Sequence, residues 1–110
     1  MKILIVEDEQ DLLSAARDYL GSEGYVCEGA STYSQGTDKI RNYEYDCVVV
    51  DLGLRDMTRA ALIEQIRDAT AEAPVPIVIY TGKEPTRREE AQLRKLAETI
   101  IIKDVRSPER

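Results

Sequence analysis

The chain has no histidine, no phenylalanine and no tryptophan, and only two cysteines and four prolines among its 110 residues. Without an imidazole it cannot run serine– or cysteine–histidine catalysis, build a histidine zinc site or carry a phosphoryl group on histidine. Cys27 and Cys47 form no metal-spaced cluster. Each falls in a stretch that reads as a strand, so both are expected to be buried, reduced thiols of a cytoplasmic protein. Six tyrosines are the only aromatics, which leaves little to stack on nucleobases. Positive charge is also short: 15 Lys and Arg stand against 21 Asp and Glu, a net charge of −6, whereas direct nucleic-acid binding needs clustered cations. No apolar run approaches the ~18 residues of a membrane span, and no signal-like segment opens the chain, so no direct membrane contact is expected.

The apolar residues that are present come in short runs. Ile3-Leu4-Ile5-Val6, Cys47-Val48-Val49-Val50, Ile77-Val78-Ile79 and Ile100-Ile101-Ile102 are continuous and largely β-branched, the pattern of strands covered on both faces of a parallel sheet. Tyr25-Val26-Cys27 is a weaker fifth run, suited to an edge. Helical spacings lie between them. Leu12, Leu13, Ala16, Tyr19 and Leu20 form one stripe, closed by Gly24 as a C-terminal cap. A poorly apolar helix is predicted from Ser31 to Asn42. Leu62, Ile63, Ile66 and Ala69 mark a third that stops before Pro74. Thr86-Arg87-Arg88-Glu89 has capping-box spacing at the head of a fourth, which should bury Leu93, Leu96 and Ala97.

Strand–helix alternation with short connections implies right-handed crossovers and a three-layer α/β sandwich. Five parallel strands would take the flavodoxin-like order 2-1-3-4-5. Ser107-Pro108-Glu109 reads as a helix start. The expectation is therefore a single domain over 1–110 whose fifth helix is missing or truncated.

In such a sheet, functional residues gather beyond the carboxyl ends of the strands. Glu7 and Asp8 follow the first run, Asp51 the third strand, Thr81 and Gly82 the fourth, and Lys103 the fifth. Carboxylates brought together need a compensating cation, because like charges repel. A donor set of oxygens alone selects a hard dication, Mg²⁺ rather than Zn²⁺. An ionised carboxylate can attack phosphorus to form an acyl phosphate, with dication, ammonium and hydroxyl sharing the charge of the phosphoryl oxygens. On this reading Asp51, at the end of the central strand, is the nucleophile. Lys103 supplies fixed positive charge and Thr81 a hydroxyl that bonds the phosphoryl group.

The segment Met1-Lys2-Ile3-Leu4-Ile5-Val6-Glu7-Asp8-Glu9, the strand end Val48-Val49-Val50-Asp51-Leu52, Tyr80-Thr81-Gly82 and Ile102-Lys103 resemble the receiver (response-regulator) domain of two-component signalling. The resemblance implies that Asp51 is the phosphoacceptor in a phosphorelay, served by a phosphohistidine on a histidine kinase or phosphotransfer domain. It implies that Glu7, Asp8, Asp51 and the Gly53 backbone carbonyl hold Mg²⁺, and that Thr81, the Gly82 amide and Lys103 receive the phosphoryl oxygens. It implies a signalling phosphoprotein rather than an enzyme, limited to self-phosphorylation from small donors and slow self-dephosphorylation. The late Ser-Pro-Glu-Arg segment is more similar to a receiver inside a hybrid sensor kinase.

Several positions depart from the receiver pattern. Arg55 and Arg59 stand where receivers commonly carry proline and glycine. Ile100 replaces the aromatic switch residue, so a Thr81–Ile100 switch lacks a ring to swing. Asp104 replaces the proline after Lys103, so a trans bond is expected there. A missing last helix would leave apolar sheet for a partner segment or a second copy to cover. These departures motivate an alternative, a receiver-like interaction module that works without phosphorylation. Plainer readings stand beside individual residues: Asp8 as an N-cap of the first helix, Arg55 and Arg59 as solvated charge, and Lys83 facing solvent. Arg87 and Arg88, at the head of the fourth helix, could dock a partner. A phosphohydrolase with a second Asp two residues after its nucleophile is disfavoured, because Gly53 stands there.

Overall fold

The computed structural model describes residues 1–82, 85–95 and 99–102, the last four through their backbone. Strands and helices alternate: β1 (Lys2–Val6), α1 (Gln10–Ser22), β2 (Val26–Ala30), α2 (Tyr33–Asn42), β3 (Cys47–Asp51), α3 (Arg59–Ala69), β4 (Ile77–Thr81), α4 (Arg87–Arg94) and β5 (Thr99–Ile102). All strand pairs are parallel and the order is β2-β1-β3-β4-β5, as the sequence pattern predicts.

Side-chain alternation along each strand divides the core between two faces. Leu4, Val6, Val48, Val50, Ile77 and Ile79 point to one face, under Tyr33 of α2, Leu62, Ile63 and Ile66 of α3 and Leu93 of α4. Ile3 and Ile5 point to the other, under Leu13, Ala16 and Leu20 of α1. The central strands are therefore apolar on both sides, which is why their sequences read as continuous runs.

Four expectations need correction or extension. First, β2 runs on to Ala30 through Glu28 and Gly29. Its polar sequence is tolerated because it is an edge strand. Gly29 suits the close approach of α1, since a Cβ would lie 2.6 Å from Leu13 Cδ2 and the side chain would have to shift. Second, Tyr19 is 67% exposed rather than part of the buried stripe; at 3.6 residues per turn it sits roughly 90° from the centre of the Leu13–Ala16–Leu20 line. Third, Cys27 and Cys47 are free but only half-buried, one on the edge strand and one at the start of β3. Burial still pushes the Cys27 thiol up, which keeps it protonated and a poor nucleophile. Fourth, the predicted start of α2 moves to Tyr33, with Thr32 as its N-cap.

The end of α1 is as predicted. Gly24 has φ +93°, and the Tyr25 amide donates to the Leu20 carbonyl while the Gly24 amide donates to that of Gly21. This Schellman arrangement favours glycine. Ile100 pairs with Ile79 through the backbone of β5; its side chain lies outside the described residues. So do Lys83, Leu96, Ala97, Lys103, the Lys103–Asp104 bond and Ser107-Pro108-Glu109. Among the described residues, no helix is long and apolar enough to cross a membrane.

Candidate functional site

The site is built by strand register. Val6 of β1 pairs with Val50 of β3, so the next residues, Glu7 and Asp51, emerge side by side. Asp8 follows at the head of α1. Glu7 and Asp51 are buried, at 4% and 6% exposure, whereas Asp8 is exposed. One oxygen from each of the three carboxylates lies within 4.8 Å of the others. An octahedral Mg²⁺ with bonds of about 2.0–2.1 Å spaces its oxygens about 3 Å apart when adjacent and about 4 Å across the ion. The all-oxygen donor set with one solvent-facing member suits a partly hydrated Mg²⁺, provided the carboxylates draw slightly closer than this spread.

Backbone contacts hold the acids in place. The Glu9 amide donates to Glu7 Oε2 at 3.1 Å, and the Glu7 amide donates to the Ala30 carbonyl of β2. The N-cap of α1 is Glu9, with no side-chain capping bond, which removes the reading of Asp8 as a helix cap. The Gly53 amide donates to Asp51 Oδ1 at 2.9 Å. A Cβ on Gly53 would come within 3.3 Å of that oxygen, a tight contact, so glycine leaves room around the carboxylate.

Thr81 closes β4 and is 1% exposed. It lies one residue past Tyr80, which pairs with Asp51, and half-buried Gly82 follows it. The structure thus brings Glu7, Asp8 and Asp51 together and sets Thr81 and Gly82 on the adjoining strand end. Lys103 lies outside the described residues.

Arg59 is not solvated charge. It is the first residue of α3, and its Nη1 sits 2.9 Å from Glu89 Oε1 of α4. The same carboxylate accepts from the Thr86 amide at 3.0 Å and completes the predicted capping box. The Thr86 amide, and after it the Arg59 guanidinium, hold the Glu89 carboxyl below its ordinary value against an opposing effect of burial. Arg55, Arg87 and Arg88 are exposed.

Sequence reasoning missed Tyr33 and Asp56. Tyr33 is the largest fully buried side chain among the described residues, at 1% exposure. Its hydroxyl donates to the Asp51 carbonyl at 2.8 Å and accepts from the Leu54 amide at 3.2 Å. Burial pushes this phenol up to about 12, so it remains a donor at neutral pH. Asp56 reaches back from the same loop and accepts from the Tyr33 amide at 2.8 Å and the Ser34 amide at 3.1 Å. Burial raises the Asp56 carboxyl, but those amides outweigh it and leave the group below its ordinary value. The available signal was a large aromatic directly after a threonine cap in an otherwise polar helix.

A family model for the response regulator receiver domain matches residues 3–109. The response regulator ArlR of Staphylococcus epidermidis is 35% identical over 101 residues, covering 92% of this chain and 45% of that protein. The transcriptional regulatory protein PmrA of Pectobacterium parmentieri is 36% identical over 83 residues, covering 76% of this chain and 37% of that protein. The chain thus spans less than half the length of these curated relatives. Among solved structures, a CheY-like response regulator receiver domain protein from Methanospirillum hungatei superposes with a TM-score of 0.81 at 29% identity, covering 94% of this chain and 82% of that one.

Proposed function

This chain belongs to the response regulator receiver family of two-component systems, and we propose that Asp51 is its phosphoacceptor, loaded in a Mg²⁺-dependent reaction from a phosphohistidine on a histidine kinase or phosphotransfer domain. An Asp51 carboxylate oxygen attacks phosphorus, the phosphorus–nitrogen bond of the donor breaks, and the departing imidazole keeps the bond pair and takes its proton from solvent. Glu7, Asp8, Asp51 and the Gly53 carbonyl would hold Mg²⁺, which when bound offsets the negative charge shared by the acids and the incoming phosphoryl group. Thr81, the Gly82 amide and Lys103 would receive the phosphoryl oxygens.

With the phosphoryl group in place, the Thr81 hydroxyl donates to it, and a shift of Thr81 and Gly82 biases a partner-binding face. Ile100 stands at the matching switch position as a branched aliphatic. Water attack on the acyl phosphate returns the chain to its resting state. The protein acts in the cytoplasm and contacts no nucleic acid directly through this domain.

The convergence of three carboxylates from two adjacent strand ends within 4.8 Å carries this reading. The test is intact mass spectrometry after incubation with acetyl phosphate, with Mg²⁺ or with chelator. One added phosphoryl group in the Mg²⁺ sample, lost in Asp51→Asn and lost with chelator, is expected. A wild-type chain that takes no phosphoryl group would leave a contact module that signals without phosphorylation.

A further inference from the structure

The loop between β3 and α3 runs from Leu52 to Thr58 and carries Gly53, whose carbonyl the proposed reading assigns to the metal. Nothing in its own sequence stiffens it. Gly53 adds backbone freedom, and Arg55 lacks the φ restriction that a proline would impose. Of its apolar members, Leu52 and Leu54 are buried at 3% and 6% exposure and Met57 packs partly buried against the core, while Gly53, Arg55 and Asp56 face solvent.

Beyond this packing, α2 ties the loop down with side-chain bonds. The Tyr33 hydroxyl bonds the backbone on both sides of Gly53, taking the Leu54 amide and giving to the Asp51 carbonyl. Both bonds are buried, where a backbone amide or carbonyl needs a hydrogen-bonding partner. In the reverse direction, the Asp56 carboxylate bonds the first two amides of α2, where the helix dipole favours an anion. The two links run in opposite senses, side chain to backbone each way, and enclose residues 51–56. One turn along, Gly36 lets α2 lie close on β1, since a Cβ there would come 2.7 Å from Val6 Cγ2.

We infer that Tyr33 and Asp56 are positioning residues which fix the Asp51–Gly53–Leu54 backbone in its metal-binding geometry, so that the start of α2 tunes Mg²⁺ affinity without touching the ion. This rests on the proposed reading of the site. It also predicts coupling in reverse. Metal binding at the acidic cluster should slow exchange of the Tyr33 and Ser34 amides, which lie outside the cluster itself.

The test uses the full chain and two readouts, hydrogen exchange of the Leu54 amide by NMR and Mg²⁺ titration by calorimetry. Tyr33→Phe keeps the ring and removes the hydroxyl. It should speed Leu54 exchange and weaken Mg²⁺ binding, each by up to roughly tenfold, the worth of one hydrogen bond. Asp56→Asn should weaken Mg²⁺ binding by a smaller factor, and it carries the test if Tyr33→Phe does not fold. Ile66→Val, in the same core but away from the loop, controls for general loss of stability and should leave both readouts at wild-type values. Variants that match wild type within twofold, or an Ile66→Val change as large as theirs, would overturn the inference alone. A wild-type chain that binds no Mg²⁺ would overturn it together with the proposed function.

Discussion

The start of α1 differs from the starts of α2, α3 and α4. Thr32, Thr58 and Thr86 each turn a side-chain oxygen onto an amide of the following turn, at 3.1 Å in every case. The start of α1 has three acids, Glu7, Asp8 and Glu9, each with oxygens able to cap, and none makes the capping bond. Instead Glu7 and Asp8 join Asp51 in the carboxylate cluster. At the start of α1 the acidic side chains serve the site and not the amides of the following turn. Here the division is clean: three threonine starts stabilise the fold, and the acidic start forgoes a cap and assembles like charges. That arrangement is unfavourable by itself and makes sense with a cation between them.

Substitutions on the two sides of this comparison should separate function from stability. The largest effect is expected for Asp8→Ala. Phosphoryl loading from acetyl phosphate should fall by roughly a hundredfold or more through loss of the metal. Melting of the metal-free protein should occur at the same or a higher temperature, because one of three clustered negative charges has gone. Thr58→Ala should do the reverse, lowering unfolding free energy by about 1 kcal/mol in denaturant titration with Mg²⁺ affinity unchanged. A cap variant that abolished metal binding would break the division.

A smaller, pH-dependent effect is expected at the head of α4. The Glu89 carboxyl is held low by the Thr86 amide and by Arg59. Its stabilising contribution is therefore full above the ordinary glutamate value of about 4.3 and is lost as pH falls through the depressed folded value. Glu89→Gln should cost roughly 0.5–1 kcal/mol at pH 7, and the difference from wild type should be smaller at pH 3. Denaturant titrations at the two pH values check this. A deficit that stayed constant with pH would show that the carboxylate charge contributes nothing there.

The strands of the sheet centre were legible because they are buried on both faces, and burial on both faces writes itself as a continuous β-branched run. The edge strand β2 was only half legible, since Glu28 and Gly29 are tolerated by exposure and by the close approach of Leu13, neither a local signal. Glu7, Asp8 and Asp51 could be grouped in advance because parallel strands in this order bring their carboxyl ends together. Contacts between distant segments were not legible. Arg59 meets Glu89 thirty residues away, and the Tyr33 hydroxyl meets the Asp51 carbonyl and the Leu54 amide across the chain. Tyr19 misled because a stripe drawn by residue type is broader than the strip of helix that a sheet covers.

The most direct test of the shared-dication cradle is a calorimetric titration of Mg²⁺ into the wild-type chain and into Asp8→Ala. The account predicts one site of millimolar or tighter affinity in the wild type and at least a tenfold loss in the variant. Equal affinity in both proteins, or no binding to either, would contradict it.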